Sequence, residues 1–312
     1  MEMRQVLNAG LKQLMAENEN IVLLEADLGK ANGTWDIRES YPSRVFEAGI
    51  AEQHMVSMAA GMASYGLIPF CGTFTPFATR RACDQIAVSV CYARMNVKII
   101  GTDEGIAAEV NGATHMSFED ISVVRAIPNL LIFSPADNEE LRQALPELAA
   151  YDGPVYLRMQ RKVIPDIHTE NYKFDLFKVD TVKDGSDVSI FCMGGILPTE
   201  VMKAVDILAA EGIDAAFINV HTLKPLDEAG VLASLEKTGC AVTCDNHNIL
   251  GGLGSAIAEL TAKKAPVPVE MIGVQDRFGE VGYMPYLKKT LHMTAEDIAA
   301  AARRAVARKA KK

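Results

Sequence analysis

Short apolar runs alternate with amphipathic stretches along the first half of the chain. Runs such as IVLL at 21–24, IPFCGTF at 68–74 and VKIIGT at 97–102 are apolar almost throughout. Strands of this kind are typical of parallel sheets that are covered on both faces. The pattern predicts further strands at 44–49, 129–135 and 155–159, and helices at 4–18, 51–65, 76–94, 117–126 and 138–150.

The pattern is interrupted at 160–184, which is polar, contains a proline and has no clear period. We interpret 166–184 as a linker that carries at most one edge strand. Alternation then resumes, so the sequence predicts an α/β protein of two domains, 1–165 and 185–312, each a mostly parallel sheet flanked by helices. The second domain is predicted to contain strands at 188–194, 215–220, 240–245 and 269–274, helices at 198–211, 227–237, 251–263, 283–290 and 294–309, and a basic tail.

Composition narrows the classes of function. The 312 residues carry a net charge of −9, which disfavours non-specific electrostatic binding to nucleic acid or to an anionic membrane. The six cysteines form no CxxC pair, so we expect buried free thiols and no zinc site. Neither a secretory signal nor a run of 18 apolar residues is apparent, so a cytoplasmic protein is expected.

The clearest chemical candidate is the segment EAGIAEQHMVSMAAGMASYG at 47–66. Glu52 and His54 stand at a predicted junction between a strand and a helix, and open α/β sheets place ligands at such carboxyl ends. The plain alternative is that Glu52 only interacts favourably with the N-terminus of the following helix. The residues alone leave both interpretations open.

GIAEQH followed by a helix of small residues resembles the pyrimidine-binding domain of the transketolase family, which includes 1-deoxyxylulose-5-phosphate synthase. The resemblance implies that Glu52 contacts N1′ of the thiamine diphosphate pyrimidine ring. That contact favours the tautomer whose amino nitrogen removes a proton from the thiazolium carbon. The resemblance also implies that Ile50, from the same motif, lies in the cofactor site.

Other segments agree with the resemblance in chain order. Asp27 in EADLGKANG matches an aspartate that lines the cofactor and substrate pocket. Phe74 and Phe77 in GTFTPF match aromatic residues that stack on the aminopyrimidine, although plain core packing is the alternative for each. NGATH places His115 at the substrate mouth. The resemblance continues into the second domain at TLKPLD (222–227), DNHNILGGLGSAIAE (245–259) and GVQDRFGEVG (273–282).

The predicted substrate site contains both matches and departures. Arg4, Arg158 and Arg161 stand where the family places arginines near a sugar phosphate, with a solvated salt bridge as the alternative for each. Asp103 stands where transketolases usually have a histidine, and Asn111 where they usually have an aspartate that recognises a ketose hydroxyl. Arg80 replaces a usual tyrosine. These changes put the identity of the sugar in doubt.

The chain lacks the GDG motif with which the family's diphosphate domain, together with a later asparagine, coordinates a metal. A divalent cation needs several oxygen ligands to hold a diphosphate. The resemblance therefore implies a partner, the N-terminal transketolase subunit, which holds the diphosphate and its Mg²⁺ or Ca²⁺, in an α2β2 heterotetramer. No metal ligand is expected on this chain.

The leading hypothesis is the C-terminal subunit of a two-chain transketolase, active only with its partner. It would transfer a two-carbon ketol unit from a ketose phosphate to an aldose phosphate. A second hypothesis is the beta subunit of a 2-oxo-acid dehydrogenase, against which the histidine of GIAEQH and the NGATH loop argue. A third is a non-catalytic scaffolding subunit, which Asp103 and Asn111 favour and Glu52 opposes.

Overall fold

The computed structural model describes residues 1–309, and the first half of the chain folds around a seven-stranded sheet. The first half contributes six strands, β1 Ile21–Glu25, β2 Val45–Glu47, β3 Ile68–Phe74, β4 Lys98–Thr102, β5 Leu131–Phe133 and β6 Val155–Met159. Its helices are α1 Met3–Glu17, α2 Gly29–Asn32, α3 Ile37–Ser40, α4 Glu52–Ser64, α5 Thr75–Ala78, α6 Asp120–Arg125 and α7 Asn138–Ala150.

The second half folds around a five-stranded sheet. Its strands are β7 Asp180–Lys183, β8 Val188–Met193, β9 Ala215–Asn219, β11 Ala241–Asn248 and β12 Val269–Val274. A further short strand of this half, β10 Thr222–Lys224, belongs to the first sheet. The helices are α8 Pro198–Ala210, α9 Glu228–Thr238, α10 Leu253–Lys264, α11 Met284–Thr290 and α12 Ala295–Lys309. The predicted basic tail beyond α12 lies outside the described residues.

Both sheets are mostly parallel, as predicted. The strand orders are β10-β5-β6-β4-β3-β1-β2 and β12-β11-β8-β9-β7. The antiparallel pairings are those of β10 with β5 and of β7 with β9, at the outer edge of each sheet. Central strands such as β1, β4, β6 and β8 are buried along their whole length, because helices cover both faces.

The predicted helix at 76–94 is wrong in its extent. The chain forms only the short α5, then turns, and continues as a π-helix from Gln85 to Tyr92. Thr79 Oγ1 donates a hydrogen bond to the Thr75 carbonyl at 2.8 Å, an alternative to helix continuation that hydroxyl side chains offer. The turn places Arg81 against Glu52, a tertiary contact that no local period reports.

The β10 strand was not predicted, since three residues are too few to show a period. It joins the edge of the first sheet although it belongs to the chain's second half. The two halves are therefore linked by a sheet as well as by side chains. Among the described helices, none is long and apolar enough to cross a membrane.

Candidate functional site

Four adjacent parallel strands bring their carboxyl ends to one edge of the first sheet. These strands end at Glu25 (β1), Phe74 (β3), Thr102 (β4) and Met159 (β6). Ligands of open α/β sheets bind at such an edge. Sequence-predicted site residues that follow these strands closely are Asp27, Phe77, Asp103 and Arg161.

Glu52 is the first residue of α4 and its side chain is buried, with 2% of the residue exposed. Oε1 accepts a hydrogen bond from Arg81 Nη1 at 2.7 Å, whereas Oε2 is buried and has no partner within residues 1–309. A buried oxygen without a donor costs free energy, which a donating ligand recovers. One oxygen of Glu52 is therefore available to a ring nitrogen that carries a proton.

Phe74, Phe77 and His115 form a three-ring cluster, although His115 belongs to a distant loop. The ring centroids of Phe74 and Phe77 are 6.3 Å apart, and His115 lies 5.9 Å from the first and 5.3 Å from the second, edge to face. Both phenylalanines are half-buried, so part of each ring faces outward. The cluster offers flat apolar surface of the kind on which an aminopyrimidine stacks.

Two arginines lie against the faces of these rings. The guanidinium carbon of Arg81 is 3.9 Å from the Phe77 centroid, and that of Arg161 is 4.6 Å from the Phe74 centroid. Arg81 thus bridges Phe77 and Glu52. The Arg81 side chain is 44% exposed, so it can leave this face when another flat group stacks there.

Asp27, Ile50 and Asn111 are surface residues of this chain. Asp27 has a positive φ of 61°, and its amide donates to Glu47 Oε1 at 2.7 Å. Ile50 is 75% exposed in the turn before α4, and exposed Asn111 ends the 3₁₀ helix that begins at Gly105. They lie where a ligand or a second chain can cover them.

The predicted anion-binding arginines, Arg4 and Arg161, converge on one backbone oxygen. The Nη1 atom of each donates to the Ala31 carbonyl at 3.1 Å. Arg161 also donates twice to Asp103, through Nε at 2.8 Å and through Nη2, and Arg4 pairs with Glu2 at 2.7 Å. Both cations already have carboxylate partners. Arg80, at the usual tyrosine position, is exposed and pairs with Glu119 at 2.6 Å.

The structure contradicts the assignment of Arg158 to the substrate site. Its side chain is 0% exposed, and Nε donates to Asp120 Oδ2 at 2.8 Å. Its Nη2 atom donates to the Asn246 carbonyl at 2.8 Å, and Nη1 lies 3.7 Å from Asp245 Oδ1. These partners come from both halves of the chain. Arg158 therefore links the two domains, because it lies on the inner part of a buried strand.

Sequence reasoning missed a buried polar network beneath the site. Glu25, the last residue of β1, accepts hydrogen bonds from the Thr34 hydroxyl and from Asn32 Nδ2 at 3.1 Å. Asn32 in turn accepts from the Thr102 hydroxyl at 2.9 Å. Burial raises the pKa of the Glu25 carboxyl from 4.5 to about 8, against the opposing effect of these hydrogen bonds. The signal available in the sequence was an acid that ends an apolar strand.

The raised pKa of Glu25 predicts a pH-dependent stability. Between its ordinary pKa of 4.5 and the folded value of about 8, the folded chain holds a proton that the unfolded chain has lost. The free energy of unfolding should therefore fall as pH rises across this interval. Glu25→Gln should reduce that fall by at least about 1 kcal/mol between pH 5 and pH 8 in urea unfolding.

The matched control for this prediction is Glu39→Gln, because Glu39 is an exposed acid on α3. It should leave the pH dependence of wild type in place. If wild type and Glu25→Gln lose the same stability between the two pH values, the Glu25 carboxyl is ionised throughout and the interpretation is wrong.

Comparison with known proteins decides the family. Residues 1–166 match the transketolase pyrimidine-binding domain, and residues 177–298 match the transketolase C-terminal domain. The chain belongs to the transketolase family. It has the two domains that the motifs predicted, in the predicted order. No group of three or more His, Cys, Asp or Glu side chains suited to a metal ion occurs in the part that the structure describes.

Relatives of this transketolase-family chain include both half-length and full-length proteins. It is 45% identical over 299 residues to the 6-deoxy-6-sulfo-D-fructose transketolase subunit SqwH of a Clostridium species, with 96% of this chain and 92% of that subunit covered. It is 35% identical to 1-deoxy-D-xylulose-5-phosphate synthase of Thermomicrobium roseum, covering 95% of this chain but only 47% of that enzyme.

Solved structures also include one that this chain matches over its whole length and one that it matches over about half. A split gene transketolase, described as an inactive beta4 tetramer, superposes with a TM-score of 0.90 at 37% identity, and 99% of each chain is covered. The transketolase of Pichia stipitis with sedoheptulose 7-phosphate superposes with a TM-score of 0.83 at 20% identity, covering 100% of this chain and 47% of that one. This likeness is one of fold.

Proposed function

We propose that this transketolase-family chain is one subunit of a two-chain enzyme that transfers a two-carbon ketol unit from a ketose to an aldose. The supporting observation is the free, buried Oε2 of Glu52 beside the Phe74–Phe77–His115 cluster. A buried acceptor next to flat aromatic faces fits the aminopyrimidine of thiamine diphosphate. When bound, that cofactor supplies a carbon nucleophile that carries the two-carbon unit.

Each residue of the site has a proposed role. Glu52 shares a proton with ring nitrogen N1′ through Oε2, and the burial of this carboxyl excludes water from the contact. Phe74 and Phe77 hold the ring, while Asp27 and Ile50 border the cofactor. His115 and Asn111 hold the substrate hydroxyls at the mouth.

The far end of the substrate is proposed to meet Asp103, Arg161 and Arg4 on the other side of Phe74. Two relatives support an anionic end on the sugar. One is named for 6-deoxy-6-sulfo-D-fructose, and another, 34% identical over 239 residues, is an apulose-4-phosphate transketolase subunit. The sugars in the names of these two relatives thus end in a sulfonate and in a phosphate.

The partner is proposed to be an N-terminal transketolase subunit that holds the diphosphate and Mg²⁺ or Ca²⁺, in an α2β2 assembly. The half-length coverage of the Thermomicrobium roseum enzyme supports this division. So does the solved split gene transketolase of the same length, which is described as inactive in its beta4 form.

Cofactor titration tests this division. Thiamine diphosphate and Mg²⁺ should produce little circular dichroism change with the isolated chain, and a saturable cofactor signal with the complex of both subunits. EDTA should abolish the signal, because the partner would need the divalent cation to hold the diphosphate of the cofactor. Absence of any signal from the complex would favour a scaffolding subunit instead.

Activity assays test the reaction class. The complex should transfer a two-carbon unit from a ketose such as xylulose 5-phosphate and should not decarboxylate pyruvate or branched oxo acids. The opposite preference would favour the 2-oxo-acid dehydrogenase hypothesis.

A further inference from the structure

Four arginines of the candidate site are each paired with a carboxylate. Arg161 is the one that lies over Phe74, and it is bonded to Asp103. The same holds for its neighbours, with the pairs Arg81–Glu52, Arg80–Glu119 and Arg4–Glu2. These four pairs have no net charge. These four arginines therefore present little unbalanced positive charge to a substrate anion.

Asp103 is a buried residue of the site whose backbone and side chain are both held by hydrogen bonds. It is 2% exposed, and its amide donates to the Met159 carbonyl at 3.0 Å. Oδ2 accepts two hydrogen bonds from Arg161, whereas Oδ1 is buried and lacks a partner in the described part of the chain. Such an oxygen can accept a hydrogen bond from a hydroxyl but repels an oxyanion.

Arg161 keeps only part of its binding capacity. Three of its N–H directions are used by Asp103 and by the Ala31 carbonyl. A guanidinium has five N–H groups, so about two remain for a ligand. An anion that reaches them also approaches the Asp103 carboxylate. The repulsion is proportional to the ligand's charge, so a dianion meets twice that of a monoanion at the same place.

We propose that Asp103 makes this site select sugars whose far end is a monoanion, of which a sulfonate is the tetrahedral example, over those that end in a phosphate dianion. This inference rests on the proposed function and narrows its substrate class. Asp103 contributes in two ways, since Oδ2 neutralises Arg161 and Oδ1 accepts a sugar hydroxyl.

The test compares 6-deoxy-6-sulfofructose with fructose 6-phosphate as donors for the complex of both subunits at pH 8. The two donors differ at the terminal group, and a phosphate monoester is a dianion at this pH because its second pKa is about 6. Wild type should favour the sulfonate by at least about tenfold in kcat/KM, mainly through KM.

Asp103→Asn should shift the preference toward the phosphate by at least about tenfold. Asparagine keeps the shape of the side chain and tolerates the positive φ of 55° at this position. Asp103→His, which restores the residue usual in transketolases, should shift the preference in the same direction and suits the same backbone conformation. The control is Asp184→Asn, which removes a carboxylate from an exposed ion pair with Lys237 in the second domain.

The outcomes separate this inference from the proposed function. The inference alone is overturned if wild type transfers from both donors and prefers the phosphate. It is also overturned if both Asp103 variants keep the wild-type preference. Failure to use either donor, together with failure to use xylulose 5-phosphate, overturns the proposed function. In that case calorimetric binding of the two sugars to wild type and to Asp103→Asn still decides whether Asp103 excludes the dianion.

Discussion

Glu52→Gln is expected to lower ketol transfer by the two-subunit complex at least about a hundredfold, because acid–base groups typically contribute 10²–10⁴. Glutamine has nearly the same size and can keep the hydrogen bond with Arg81. It cannot exchange a proton with ring nitrogen N1′ through the free position of Oε2. The loss should therefore appear in kcat and not only in cofactor affinity.

The measurement is kcat and kcat/KM in a coupled assay of two-carbon transfer at saturating cofactor. Glu236→Gln, an exposed acid on α9, is the matched control and should behave as wild type. Unfolding midpoints of both variants exclude a folding defect. Turnover close to that of wild type in Glu52→Gln would remove the catalytic assignment.

A second variant distinguishes the contribution of the Glu52 carboxyl from that of Arg81. Arg81→Gln removes the ion pair with Oε1 and uncovers one face of Phe77. A change confined to cofactor affinity in this variant, with kcat retained, would show that Glu52 acts without Arg81. A loss in kcat comparable to that of Glu52→Gln would make the two residues one functional unit.

Asp120→Ala is expected to destabilise the fold by about 3–5 kcal/mol, the usual cost of leaving a buried charge without its partner. Asp120 accepts from Arg158 Nε and from the Tyr156 hydroxyl, each at 2.8 Å, and neither Asp120 nor Arg158 is exposed. The loss of this acid removes the hydrogen-bonded carboxylate of the Arg158 guanidinium and leaves it the more distant carboxylate of Asp245, at 3.7 Å. Urea unfolding followed by circular dichroism measures the effect.

The control is Arg303→Ala, which breaks a surface ion pair with Glu211 and should cost no more than about 1 kcal/mol. Replacing Asp120 by leucine together with Arg158 by methionine should recover part of the loss, since apolar pairs often replace buried ion pairs without penalty. Wild-type stability in Arg158→Met, combined with a raised KM for substrate, would restore Arg158 to the substrate site.

Local pattern predicted most of the elements well. The strands IPFCGTF at 68–74 and VYLRM at 155–159 and the helix at 138–150 have the bounds that the hydrophobic period indicated. The prediction was wrong at 76–94, where a turn and a π-helix replace one helix. A period cannot report this break because Arg81 is turned toward Glu52 by a contact between distant residues.

The sequence predicted which residues to consider at the candidate site, but not their contacts. The motif around Glu52 placed this residue at the start of a helix, and the structure adds that one of its oxygens is buried and free. Phe74, Phe77 and His115 were predicted separately, and the fold brings them together. Arg158 was misassigned, since an arginine within an apolar strand looks the same in sequence whether it reaches solvent or a buried aspartate.

By itself, the sequence determined the two-domain α/β architecture and the family, because both follow from local periodicity and from short motifs in a fixed order. The tertiary structure alone decided the pairing of Asp103 with Arg161, the raised pKa of the Glu25 carboxyl and the interdomain role of Arg158. The physical reason is that charge pairing and desolvation depend on distances and burial, which are set by contacts between residues far apart in the chain.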